Sequence, residues 1–216
     1  MRLAIILGFV SITTVVPALA EAQPRRYYAA EPRRNSYEER ETYVDMQHTG
    51  LFARGVLGAG GVTADDEFND STLSGGAGMY SFDLGGSLAP GLALHGRLSG
   101  NTMFEPSVAN DGQFAGELDD TSLTFTLLGV GLTYYLPNNL YLTGVAGLSR
   151  AAFEFYGDEY DTLNGVGFNG DIGYEWAIGR DLGLGIAGRL ELHSVRDDAG
   201  AISTGALGVL LSVTYF

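Results

Sequence analysis

The chain of 216 residues contains no cysteine and no lysine. Without cysteine there is no disulfide framework and no thiol to carry a lipid anchor. Soluble surfaces usually mix acidic side chains with lysine, so its absence counts against a large water-facing exterior. Arginine supplies all 12 basic residues, against 26 acidic ones, and the net charge of −14 argues against a nucleic-acid partner. There are only three histidines, one of them outside the folded region, which rules out a histidine-rich transition-metal cluster; no cofactor is expected. After residue 22 no apolar run approaches the roughly 20 residues of a spanning helix. What the chain has in abundance is glycine, 32 residues, with no collagen-like period.

The first residues, "MRLAIILGFVSITTVVPALAEAQ", run from one arginine through an apolar core to small residues. That order predicts a signal peptide over 1–22. Residues 23–48 are densely charged and lack an apolar period, which predicts a flexible periplasmic tail. Residues 49–216 suit one domain.

That domain repeats one pattern. In "GVGFNGDIGYEWAI" the residues Val166, Phe168, Ile172, Tyr174, Trp176 and Ile178 share one parity, and glycine with Asp171 and Glu175 takes the other. A period of two means a strand. Eight such segments follow one another, near 49–62, 75–88, 92–104, 121–136, 140–155, 165–178, 182–195 and 201–216. In the fourth, apolar residues change parity around Leu127, which predicts a bulge there. The connections at 89–91, 137–139 and 179–181 are tight; those near 63–74, 105–120, 156–164 and 196–200 are longer or more polar. Lipid leaves no partner for an open sheet edge, so such a sheet must close. The pattern predicts an all-β fold, an eight-stranded antiparallel up-and-down transmembrane barrel with both chain ends on the tight-turn, periplasmic side.

The apolar parity then meets lipid, and the small, polar parity fills a narrow lumen. Folding the strands up and down stacks two aromatic belts: Tyr134, Tyr135, Tyr141, Tyr174, Trp176, Tyr215 and Phe216 near the tight turns, and Tyr80, Phe104, Phe125, Phe153, Phe155 and Phe168 near the loops. A soluble barrel of lipocalin type is the rival; it would reverse the two faces and cover its exterior with charge.

The signal peptide, the eight alternating segments and the terminal "LLSVTYF" resemble the small outer-membrane β-barrel proteins of the OmpA and OmpX transmembrane-domain kind, over about residues 49–216. The resemblance implies the outer membrane of a Gram-negative cell envelope, contact with lipid and lipopolysaccharide, and a monomer. It also implies recognition by the barrel-assembly machinery through the last strand, whose final phenylalanine is Phe216.

Tight turns fix register. If Leu88 pairs with Leu92, Asp83 faces Arg97; if Ile178 pairs with Leu182, Asp171 faces Arg189. Arg54, Glu175 and Glu191 share the inward parity and complete a candidate lumen ion-pair network. A charge inside so narrow a space must be paired. This predicts a plugged barrel with a structural or surface-interaction role; a narrow, porin-like ion-conducting pore is the alternative. A lipid-modifying enzyme is not expected. The adjacent His193 and Ser194 point to opposite faces, and His95 sits near the tight-turn end. No catalytic residue is therefore assigned. The loops are acidic, and Asp158, Glu159 and Asp161 offer calcium-type oxygen ligands, without the spacing of a known calcium loop.

Overall fold

The computed structural model describes residues 50–66, 71–110, 113–118, 121–155, 158–196 and 201–216. The signal peptide and tail expected over 1–22 and 23–48 lie outside them. The described residues form ten strands: β1 (Leu51–Asp66), β2 (Ser71–Ala89), β3 (Leu92–Phe104), β4 (Ser107–Asn110), β5 (Gln113–Glu117), β6 (Thr121–Tyr135), β7 (Leu140–Phe155), β8 (Asp158–Ala177), β9 (Leu182–Arg196) and β10 (Ala201–Tyr215). Eight of them close a barrel in the order β1-β10-β9-β8-β7-β6-β3-β2, with β2 returning to β1. Every pairing is antiparallel; closure runs from Ala53 opposite Tyr215 to Asp66 opposite Ile202, and from Leu51 opposite Gly86 to Asp66 opposite Ser71. No barrel strand is left with an unpaired edge, so backbone groups at membrane depth are satisfied by neighbouring strands.

The barrel is taller at its loop end than the alternation implies. β1 continues to Asp66, β2 starts at Ser71 and β8 starts at Asp158, because polar residues pair as well as apolar ones once a strand has left the greasy zone. The segment 105–120 is not a plain loop. Its β4 and β5 form a small hairpin, and β4 extends the sheet along the top of β2, from Ser71 opposite Asn110 to Ser74 opposite Ser107. At the tight-turn end, Pro90 and Gly91 make the turn between Ala89 and Leu92, with Gly91 at φ 76°. Leu88 is skipped in the pairing, so it does not face Leu92. This one-residue irregularity restores the register below it, and Ser87 pairs with Ala93.

The exterior is apolar. Leu57, Leu128, Leu148, Val166, Leu207 and Leu211 are each more than 60% exposed. The large polar side chains point the other way: Arg54, Arg97, Arg189, Glu175 and Glu191 are at most 2% exposed. That inversion of the usual soluble pattern excludes the lipocalin-type arrangement and marks the outer surface as lipid-facing.

Two expectations fail together. β6 has no bulge at Leu127: its pairing with β3 and β7 is continuous. Leu123, Phe125 and Leu127 stay on the inner parity and are fully buried. The alternation changes there because the apolar residues move from the inner face, where Leu123, Phe125 and Leu127 help roof the lumen, to the outer face, where Leu128, Val130 and Leu132 are exposed. Likewise Phe125, Tyr135, Tyr141 and Phe216 are inside the barrel and belong to no lipid belt; Phe153 packs against the same core. The exposed aromatics are Phe104 near the loops, Tyr80, Phe82 and Phe168 around the middle of the barrel, and Trp176 and Tyr215 near the turns; the side chain of Phe155 lies outside the described residues.

Candidate functional site: the barrel lumen

The lumen is built in tiers from the inward residues of all eight strands. At the turn end, Phe52, Tyr135, Tyr141 and Phe216 form an aromatic floor. The Phe216 ring lies 5.8 Å from Phe52 and 5.4 Å from Tyr135. Arg54 stands on this floor, its guanidinium carbon 4.1 Å from the centre of the Tyr141 ring. Its Nη2 donates to the Tyr135 hydroxyl and, at 3.3 Å, to Glu175 Oε2; its Nε donates to Thr214 Oγ1 at 3.0 Å. Thr214 in turn donates to Glu175 Oε2 at 2.7 Å. Glycine makes the space: a Cβ on Gly183 would lie 2.4 Å from Glu175 Oε1, and one on Gly173 would lie 2.5 Å from the Tyr141 ring.

The middle tier is ionic. Asp83 lies opposite Arg97 across β2 and β3, and Asp171 lies opposite Arg189 across β8 and β9. Arg97 grips Asp83 with two hydrogen bonds, Nε to Oδ1 at 2.6 Å and Nη2 to Oδ2 at 2.7 Å. Arg189 grips Asp171 the same way, at 2.6 and 3.0 Å. The two hairpins are then tied across the barrel by Arg97 Nη1, which donates to Asp171 Oδ2 at 2.8 Å. All four side chains are at most 3% exposed. Fork-shaped guanidinium contacts of this kind are the strong, directional form of an ion pair.

Above it, Glu191 accepts from Asn101 Nδ2 at 2.5 Å and sits 3.4 Å from Arg189 Nη1. His193 lies beside it, with Nε2 3.6 Å from Glu191 Oε2, and its Nδ1 is 2.7 Å from Ser149 Oγ. The lumen is roofed by apolar side chains: Val62, Met103, Leu123, Phe125, Leu163 and Val195, all at most 5% exposed.

No protein-family model and no curated protein matches this chain. Solved structures do. Neisserial surface protein A is 14% identical, with a TM-score of 0.52 over 77% of this chain and 97% of that one. Ail of Yersinia pestis gives 13% and 0.40, covering 76% and 99%. OprG of Pseudomonas aeruginosa gives 11% and 0.44, covering 80% and 97%. The chain has the fold of the small outer-membrane β-barrels.

Within that fold, every sequence-selected lumen residue faces inward: Arg54, Asp83, Arg97, Asp171, Glu175, Arg189 and Glu191 are all buried. They form two connected groups and a third centred on Glu191, joined to the second only through Arg189. Sequence reasoning missed the contact between Ser149 and His193 because it weighed only the sequence neighbour Ser194, whereas Ser149 comes from β7. Both are shut inside, at 3% and 4% exposure, and the pair packs against Phe125, whose ring is stacked on the imidazole at 5.4 Å. It also missed Asn101, Asn169, Tyr135 and Thr214. Asn101, Asn169 and Thr214 have readable inward parity, and Asn169 pairs directly with Glu191 on the neighbouring strand, as Thr214 does with Arg54. Tyr135 was expected in the turn-end belt, and the partners of Asn101 and Tyr135 lie two or more strands away. His95 sits low in the barrel and reaches Thr133 Oγ1 at 3.0 Å. The side chains of Asp158, Glu159 and Asp161 lie outside the described residues. Asp65 is exposed at the top of β1 and accepts from Thr72 at 3.0 Å.

Proposed function

We propose that this protein is an integral outer-membrane barrel with a structural or surface-interaction role, its lumen plugged by the ion-pair network and its acidic loops facing outward. The observation that carries this reading is the cross-barrel bond from Arg97 to Asp171. It fixes two hairpins to each other through the centre of the barrel, where a conducting pore would need open space. The apolar roof above it supports the same reading, since ions do not cross a dry apolar tier cheaply.

In this reading the barrel touches lipid around its waist and lipopolysaccharide at its loop end. Its last strand engages the assembly machinery, and it works as a monomer. The narrow-pore alternative draws on one feature: polar side chains continue from Arg54 through the middle tier to Glu191. Enzymatic chemistry forms no part of this reading. The Ser149–His193 pair is enclosed on all sides by packed side chains and serves as an internal hydrogen bond.

The natural absence of cysteine makes location and orientation directly testable. Single cysteines at Ser203, near the top of β10, and at Asn138, in a tight turn, should react differently with a membrane-impermeant maleimide on intact cells. Labelling of the Ser203 site alone supports an outer-membrane barrel with periplasmic turns. Labelling of Asn138 alone reverses the orientation, and labelling of neither removes the surface role.

A further inference from the structure

The buried charges of the lumen do not balance. Among the described residues, four carboxylates (Asp83, Asp171, Glu175 and Glu191) face three guanidiniums (Arg54, Arg97 and Arg189). Asp83 and Asp171 each hold a two-bond grip on an arginine. Glu175 has Arg54 together with two hydroxyl donors. Glu191 is the carboxylate left over. Its one arginine contact, at 3.4 Å, comes from an Arg189 already committed to Asp171. An uncompensated charge in a desolvated interior is expensive.

The atoms around Glu191 share a second deficit. Asn101 Oδ1, Asn169 Oδ1 and His193 Nε2 have no hydrogen-bond partner among the described residues. Asn101 and Asn169 are fully buried, and His193 is 4% exposed. All three side chains converge on one carboxylate. Asn101 Nδ2 is 2.5 Å from Glu191 Oε2, Asn169 Nδ2 is 3.4 Å from Oε1, and His193 Nε2 is 3.6 Å from Oε2. Turning either amide over aims its oxygen toward Glu191; for Asn169 the same turn exchanges its 2.7 Å donation to Ser99 Oγ for acceptance from that hydroxyl. The site therefore combines one surplus negative charge with unused lone pairs on two buried amide oxygens. A carboxylate with amide carbonyls is the donor set of a hard cation.

We propose that the Glu191 site binds one small monovalent cation of the alkali-ion class, liganded by Glu191, Asn101 and Asn169. One positive charge offsets Glu191, the carboxylate with no arginine of its own, whereas a divalent ion would overshoot it. Protonation of His193 would supply the charge but would leave both amide oxygens unpartnered. The site sits beneath the apolar roof, with Phe125 over the imidazole, so the ion is enclosed during folding. It rests on the plugged-lumen reading; an open channel in bilayers would refute that reading while leaving the cation dependence below to be measured separately.

The test refolds the full chain in detergent in sodium, potassium or choline chloride at one ionic strength, then measures urea unfolding. A ligand that binds only the folded state raises the folded-to-unfolded ratio about tenfold per tenfold rise in concentration above its Kd. Sodium or potassium should give that rise and choline should not. Glu191→Gln, which removes the surplus charge, should fold and lose the dependence. Glu175→Gln makes the same change of charge in the lower tier and should keep it. Equal stability in all three salts overturns the proposal, as does a cation dependence that survives Glu191→Gln. A stability that ignores the cation but follows pH, and loses that response in His193→Gln, overturns it in favour of a proton.

Discussion

Replacing Arg97 with alanine should be the most damaging single change in the lumen network. Arg97 makes both hydrogen bonds to Asp83, at 2.6 and 2.7 Å, and the cross-barrel bond to Asp171 at 2.8 Å. Asp83 is fully buried, and its next cationic candidate, His95 Nδ1, is 4.0 Å away. Arg97→Ala thus leaves a buried carboxylate with no guanidinium, a defect that costs about 3–5 kcal/mol. Arg189→Ala should cost less, about 2–3 kcal/mol, because Asp171 keeps its charged bond from Arg97, and Glu191 loses only a long 3.4 Å contact while keeping its bond from Asn101. Adding Asp83→Ala to Arg97→Ala removes the stranded charge and should recover part of the loss, with a coupling energy of about 1–3 kcal/mol. Equilibrium unfolding in urea, from detergent micelles or thin bilayers, reads all four variants. Strict additivity of Asp83→Ala and Arg97→Ala, or a larger cost for Arg189→Ala than for Arg97→Ala, would refute the account of how the tier is held together.

Leu128 is 63% exposed midway along β6, so Leu128→Arg should destabilise the barrel in bilayers by about 2–4 kcal/mol; a neutral result would mean that this face does not meet lipid. The Phe216 ring packs inside against Phe52 and Tyr135, so Phe216→Ala should lower stability by about 3 kcal/mol in refolding without any assembly factor. Unchanged stability in that assay, with a defect only in cells, would assign the residue to assembly alone.

The fold was legible because the lipid face imposes a period of two on the chain, and the tight turns read at 89–91 and 179–181 carry that parity across hairpins. The register of Asp83 with Arg97 follows from a sum of positions that the skipped Leu88 leaves unchanged below the turn. Where the inner face is itself apolar, the signal vanishes. Leu123, Phe125 and Leu127 therefore read as a slipped lipid face although they point inward. Tyr135, Tyr141 and Phe216 misled for the same reason, since a ring over a glycine inside a barrel and a ring at a lipid interface look alike in sequence. Contacts between non-adjacent strands, such as Arg97 with Asp171 or Ser149 with His193, depend on the barrel's closed cross-section. No hairpin register contains them.

Single-channel recording of the purified, refolded protein in planar bilayers tests the central claim most directly. With the middle tier bridged by Arg97 and the roof closed by Leu123, Phe125 and Val195, the wild-type barrel should show no steady conductance across a range of potentials. A stable open channel at ordinary salt would contradict the plugged lumen and favour the narrow pore.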